Sequence, residues 1–258
     1  MLNSSEQEYK MMYEAEEKLW WYRVLHEKVL SEIQKKYANN LDINILDVGC
    51  GTGGLLSFLR KNAYKNIQGI DYSEAAIQFC KARNLDVQRL NIDNLNDLNT
   101  PKKFDVIVCN DVFYCLETEQ MKSAFYNIFH LLKEDGIFIS NNNAFDAFYG
   151  THDLAVGGKR RFTIQSFRQY LPKDLFKITY HSYWTWVLAP LVFGIRFTQR
   201  IGMRFGWIDT DNIVSDVEVP SDFVNNFCYQ LVKIEEKILR KGFFGSSLFM
   251  VMKKEKSL

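Results

Sequence analysis

An excess of charge of one sign is missing from this sequence. Its 258 residues hold 32 Lys and Arg against 31 Asp and Glu, for a net charge of +1. No global field draws such a chain to nucleic acid. Paired cysteines are missing as well. Cys50, Cys80, Cys109, Cys115 and Cys228 make an odd five with no CxxC spacing. That argues against a disulfide framework and against a zinc site, so no metal is expected. No stretch reaches the roughly 20 apolar residues that span a bilayer. Met1 to Lys10 is polar, without an apolar signal region. A reducing cytoplasm is therefore the expected compartment. Internal repeats and low-complexity tracts are also absent.

What remains is the composition of an ordinary folded domain, 47% hydrophobic and 24% charged. Aromatics reach 15%. A large aromatic core is the plain explanation, and a site for an apolar or planar ligand is the alternative. Residues 5–38 read as one helix, rich in Glu, Gln, Lys and Leu and free of Gly and Pro. Strands and helices then alternate. Strands are expected at 44–48, 67–70, 86–90, 104–109 and 137–139. Helices are expected at 55–62, at 74–83 behind the N-cap Ser73, and from the cap Thr118 to Leu132. This alternation predicts an α/β fold with a parallel sheet and right-handed crossovers.

The last third differs. Thr163 is placed to cap a helix ending at Tyr170, and 176–183 and 247–252 read as strands. The run from Trp184 to Ile195 is too short to cross a bilayer and is broken by Pro190 and Gly194. Burial within a cap is expected for it. A surface that dips into a membrane or grips a greasy substrate is the alternative. Residues 221–240 form a helix whose Phe223, Phe227, Leu231, Ile234 and Ile238 repeat every three or four residues, which predicts one buried face. Three regions follow: an N-terminal helical segment (1–40), a nucleoside-binding core (41–150) and a cap that completes the sheet (151–258).

The chemistry centres on Asp47-Val48-Gly49-Cys50-Gly51-Thr52-Gly53, between the first strand and the first helix of the core. Ligands of open α/β sheets bind outside the carboxyl end of that strand. Asp71 ends the second strand, where a carboxylate accepts both hydroxyls of a ribose. Gly49, Gly51 and Gly54 also satisfy the dinucleotide fingerprint. Two features oppose that reading. Asp47 would sit poorly near a pyrophosphate but suits a ligand with a free ammonium group, and no second nucleotide-binding half follows.

Ile45 to Gly53 resembles the first motif of class I S-adenosylmethionine-dependent methyltransferases. The resemblance implies a Rossmann-like seven-stranded sheet, mostly parallel with the last strand antiparallel, helices on both faces and a C-terminal helical and aromatic cap. It implies S-adenosylmethionine as cofactor, held by Asp47, Gly49, Cys50, Gly51 and Gly53, by Asp71 and Tyr72 of the second motif, by Asn91-Ile92-Asp93 at the adenine, and by Asn110 after the fourth strand. Trp20-Trp21-Tyr22-Arg23, His152-Asp153, Arg160 to Thr163 and Phe244 to Leu248 are similar to bacterial methyltransferases of polysaccharide and natural-product pathways. Those relatives often carry Glu-His after the fourth strand. This chain has Tyr114-Cys115, so no role of that pair carries over.

Tyr22 and Arg23 are placed to close over the cofactor, or Trp20, Trp21 and Tyr22 simply pin their helix. His152 is the first choice for a base or substrate contact, oriented by Asp153, against the plain reading of a loop histidine. Asp111 borders the methyl-transfer site or caps its strand. Arg160 and Arg161 are candidates to clamp an acidic acceptor, and Tyr114 and Trp184 to line its site. The expected activity is methyl transfer, foremost to oxygen, onto a small, lipid-linked or natural-product acceptor. A peptide or protein methyltransferase and a non-catalytic nucleoside-binding protein are the alternatives. The acceptor is expected to be hydrophobic, and weak association with a membrane surface is compatible with the aromatic run. The sequence leaves the oligomeric state open.

Overall fold

A computed structural model describes residues 6–208, 217–239 and 241–255. Residues 1–5 of the N-terminal segment, including Ser5 of the expected first helix, and Arg240 of the expected last helix lie outside these, as do 209–216 and 256–258 of the cap region.

Seven strands form one sheet in the order β3-β2-β1-β4-β5-β7-β6. They are β1 (Ile45–Val48), β2 (Ile67–Asp71), β3 (Val87–Arg89), β4 (Phe104–Asn110), β5 (Leu132–Asn143), β6 (Phe176–Trp184) and β7 (Ser247–Lys254). The first five run parallel, and β7 is antiparallel to both its neighbours. This is the Rossmann-like methyltransferase sheet with its late reversed strand.

Alternation along the strands explains why both faces are covered. Ile107 and Cys109 of β4 enter one core, with Leu46, Phe138, Met250 and Phe125. Val106 and Val108 enter the other, with Ile45, Ile139, Val251 and Leu56. Such strands read as unbroken apolar runs because neither face meets water. The first core is aromatic. Phe113 stacks on Phe125 at 4.7 Å between centroids and meets Phe138 and Phe167 edge-on.

Nine helices are described: α1 (Glu6–Ala15), α2 (Trp20–Tyr37), α3 (Gly54–Lys61), α4 (Glu74–Ala82), α5 (Thr118–Leu131), α6 (Thr151–Ala155), α7 (Ile164–Tyr170), α8 (Ala189–Arg204) and α9 (Asp222–Ile238). Three sequence expectations need correction. The first helix is two, because the chain turns at 16–19, where the Ala15 carbonyl accepts from the amides of Lys18 and Leu19. The long helix of the core is capped by Glu117, whose amide is bonded in return by Gln120, rather than by Thr118. The face of α9 with Phe223, Phe227, Ile234 and Ile238 points to solvent. Its buried residues are Asn225, Val232 and Glu235. Asn225 bonds the backbone of Lys18 and Trp20, and Glu235 accepts from the amide of Val187. These polar contacts, not the apolar period, fix the helix rotation.

Candidate active site

The crevice opens where strand order reverses, beside β1 between β2 and β4. The loop leaving β1 needs its glycines. Gly49 and Gly51 have φ of +75° and +53°. A Cβ at Gly49 would strike Val112, and one at Gly51 would strike Met12. Asp71 ties this loop to β2. Its Oδ2 accepts from the Gly51 amide at 3.0 Å, and its Oδ1 from the Ser73 amide at 2.9 Å.

Three buried carboxyl groups line the carboxyl ends of β1, β2 and β4 without a salt-bridge partner among the described residues: Asp47, Asp71 and Asp111. Burial pushes Asp47 up to about 8, with Glu16 and Asp71 adding repulsion. Burial pushes Asp71 up to about 6, against the pull of the Ser73, Gly51 and Tyr72 amides. Burial pushes Asp111 up to about 7, opposed by the Asn141 amide and the charge of Arg161. Such a cluster is built for a cation, whose charge offsets the cost of ionising buried acids.

Asp111 follows β4 with φ of +55°, a strained conformation for a non-glycine residue. Asn141, at the end of β5, holds it there. Asn141 Nδ2 donates to Asp111 Oδ2 at 3.0 Å, and the Asp111 amide donates to the Asn141 carbonyl at 2.8 Å. Asn141 is fixed in turn. Its Oδ1 accepts from Trp184 Nε1 at 2.9 Å, and its amide donates to Asn110 Oδ1 at 3.0 Å. Trp184 stacks on Trp21. Tyr22 and Tyr114 both lie near the Asp111 charge, and burial holds their hydroxyls protonated.

Helix α1 covers the crevice. Tyr9 lies against Asp71, Tyr72 and Ser73. Glu16, itself buried, bonds Thr52 Oγ1 and pairs with Arg83. Arg83 also donates to the carbonyls of Thr52 and Tyr13 and lies over the Tyr13 ring. Further along, Asp93 accepts from Gln120 through Oδ2 at 2.8 Å. Among the described residues its buried Oδ1 has no hydrogen-bond partner, so an acceptor stays available there.

Residues 46–138 match the family described as methyltransferase domain. That stretch is a methyltransferase domain, built on the sheet of class I, S-adenosylmethionine-dependent methyltransferases. The malonyl-(acyl-carrier protein) O-methyltransferase of Bacillus anthracis is 30% identical over 140 residues, 54% of this chain and 51% of that protein. This chain spans about half the length of the curated relatives it matches. The plantazolicin methyltransferase BpumL in complex with SAH shares the fold, with 16% identity, a TM-score of 0.53, and coverage of 96% of this chain and 85% of that one. A SAM-dependent methyltransferase from Archaeoglobus fulgidus does so with 15% identity and a TM-score of 0.54, over 90% of this chain and 94% of that one.

The crevice brings together Asp47, Gly49, Gly51, Gly53, Asp71, Asn110, Asp111 and Tyr114 of this domain and Tyr22 of α2. Other sequence expectations change. Cys50 turns its thiol into the core beneath Gly69, so only its backbone belongs to the loop. Ile92 is a core residue, and Asn91 caps the turn at Asp93. Tyr72 is exposed, with its carbonyl bonded to Arg89. Arg23 faces α9 instead of the cofactor, its guanidinium 4.0 Å from the Tyr229 ring and bonded to Asn226. Asp153 forms a buried ion pair with Arg161, whose Nε and Nη2 donate to its Oδ1 and Oδ2 at 2.8 and 2.9 Å. Arg161 is thereby buried and no clamp. Arg160 lies over the Tyr170 ring, next to Thr118 and Met121. Trp184 is in the core and acts on Asn141 rather than on an acceptor. Sequence reasoning missed Asn141, Glu16 and Arg83. The one available signal was three consecutive asparagines, Asn141 to Asn143, ending a strand otherwise apolar.

The raised carboxyl groups set a pH dependence. A cation favours their ionised forms, so donor affinity rises with pH between about 6 and about 8 and levels off above that. S-adenosylhomocysteine, without the sulfonium charge, shows a shallower rise. Titration calorimetry at several pH values measures both slopes, and a flat profile for the donor contradicts the assignment. The same groups bind protons more tightly folded than unfolded, where Asp titrates near about 3.9. Their contribution to donor-free stability is therefore full below about 4 and lost as pH rises toward about 8.

Proposed function

We propose that this chain methylates an oxygen of a bulky, hydrophobic acceptor, with S-adenosylmethionine as donor and Asp111 as the base. The observation that carries this reading is the row of three buried acids without a salt-bridge partner among the described residues, at the carboxyl ends of β1, β2 and β4, one of them at positive φ and near neutral in its titration. When bound, S-adenosylmethionine supplies a methyl group already activated on a sulfonium. The protein's task is then alignment and proton removal in a dry site. Asp71 would hold the ribose hydroxyls, Asp47 the ammonium group, and Asp93 Oδ1 the adenine amino group. Asp111 takes the proton from an acceptor hydroxyl, and its titration near 7 suits a base working at neutral pH.

Support for oxygen comes from the relatives, whose names include O-methyltransferases of acyl-carrier-linked malonyl groups and of ubiquinone biosynthesis. Support for a hydrophobic acceptor comes from the same edge of the sheet. There an apolar cleft of about 350 Å³ is lined by Trp186, Val187, Pro190, Phe193 and Phe244. Because β7 runs antiparallel, Phe244 just ahead of it shares an edge with Asp111.

Calorimetry with S-adenosylmethionine and NAD tests the donor. Binding of the first alone is expected. Asp71→Ala is expected to weaken it at least about tenfold, near 1.4 kcal/mol. Unchanged affinity in that variant removes Asp71 from the ribose. Release of S-adenosylhomocysteine with hydroxylated apolar acceptors tests the transfer itself.

A further inference from the structure

Helix α8 presents an unusual outer surface. In a helix of 3.6 residues per turn, Pro190, Leu191, Gly194, Ile195, Phe197 and Ile201 fall on one broad arc. That arc faces outward: Leu191 is 61% exposed and Phe197 50%. A Cβ added at Gly194 would meet nothing within 4 Å. Beyond the helix end, Phe205 and Trp207 stack on each other in the open, Trp207 at 76% exposure. Isolated exposed apolar residues need no explanation, but an apolar arc broken only by Thr198 on a surface helix marks a contact.

The charge beside the arc favours one kind of contact. Arg196, Arg200 and Arg204 recur every four residues along α8, and no Asp or Glu occurs between Asp174 and Asp209. Arg200 lies 5.7 Å from the Phe193 ring, at the border of the apolar arc. An apolar arc with aromatics at both ends, flanked by arginine and with no acid within the helix itself, matches an anionic lipid interface. No described helix is long and apolar enough to cross a membrane, so a seat in the headgroup layer is the fitting mode.

We propose that α8 with Phe205 and Trp207 seats this protein on an anionic bilayer, lying in the plane of the headgroups. The position of α8 gives the seat a purpose. Gln199 accepts from the Thr151 amide, and Arg196 and Gln199 fill the space beside Gly150. The helix thus packs on the segment after β5, at the edge of the sheet that carries Asp111. An acceptor dissolved in the bilayer would meet the protein at that edge. Docking itself is independent of methyl transfer, so its test does not depend on the proposed activity.

The test is co-sedimentation of the full chain with vesicles of phosphatidylcholine and phosphatidylglycerol (3:1) or of phosphatidylcholine alone. Binding to the anionic vesicles is expected, falling at least about tenfold on the neutral ones. Leu191→Glu with Phe197→Glu is expected to abolish it. Arg200→Glu with Arg204→Glu, which reverses charge at a half-buried and an exposed position beside the arc, is expected to weaken it at least about tenfold. Both pairs should keep wild-type circular dichroism and donor affinity. Brominated lipids should quench fluorescence in the wild type and much less in Trp207→Phe. Absence of binding to the anionic vesicles overturns the proposal. So does equal binding by the arginine variant, or a wild-type dimer in light scattering that Phe197→Glu converts to monomer, which would assign the arc to a second copy of this chain.

Discussion

Asp111→Asn is expected to lower kcat at least about a hundredfold, near 2.7 kcal/mol of transition-state stabilisation, while the protein folds normally. Asparagine suits the test because it is nearly isosteric and, like aspartate, tolerates the positive φ of this position. The variant should still bind S-adenosylmethionine through the loop and Asp71, more weakly for the loss of one of the three acids, so turnover is compared at saturating donor. Its residual activity should no longer follow an ionisation near pH 7. A variant that retained turnover within a few-fold would exclude Asp111 as the base. A loss of turnover that came with a large fall in melting temperature would point to the role of Asp111 in joining β4 to Asn141 instead.

Asp153→Ala is expected to destabilise the protein by about 3–5 kcal/mol, the usual result of stranding one member of a buried ion pair. The carboxylate is 1% exposed and Arg161 8%. Arg161 Nη1 also donates to the Ala144 carbonyl, and Asp153 Oδ2 accepts from the Gly150 amide. Removing the acid leaves a guanidinium in the core with one backbone partner. For a chain of this size the melting temperature should drop by about 10 °C. A catalytic dyad of His152 and Asp153 would give the opposite pattern, lost turnover at unchanged stability. Thermal melts and initial rates on the same preparation separate the two.

Much of the sheet was legible because buried parallel strands leave apolar runs between helical periods. The Asp47 to Gly53 loop and Asp71 were legible because the turn needs glycine and the second strand ends on an acid. Rotation and pairing were not legible. The period of Phe223, Phe227, Ile234 and Ile238 indicates a buried face, yet Asn225 and Glu235 turn the opposite side inward through bonds to residues far away in sequence. The Trp184 to Ile195 run was expected to be buried. Trp184 is, but Trp186, Leu191, Phe193 and Ile195 are exposed. Apolar content does not tell a core from a contact surface. His152 beside Asp153 suggested a dyad from adjacency alone, and nothing local announced the ion pair that Asp153 makes with Arg161 eight residues on. Asp111 was visible as an acid after a strand. Its strain and its suspension from Asn141 and Trp184 come from tertiary structure only.

The knot of Glu16, Thr52 and Arg83 has a kinetic consequence. It clasps the amino-terminal helix across the same turn that a nucleoside must reach. If donor and spent product exchange past that helix, Glu16 and Arg83 would have to part first, and the clasp would set a threshold for that exchange. Throughput in such an enzyme can be governed by how often its first helix lets go, with the chemical step waiting behind it.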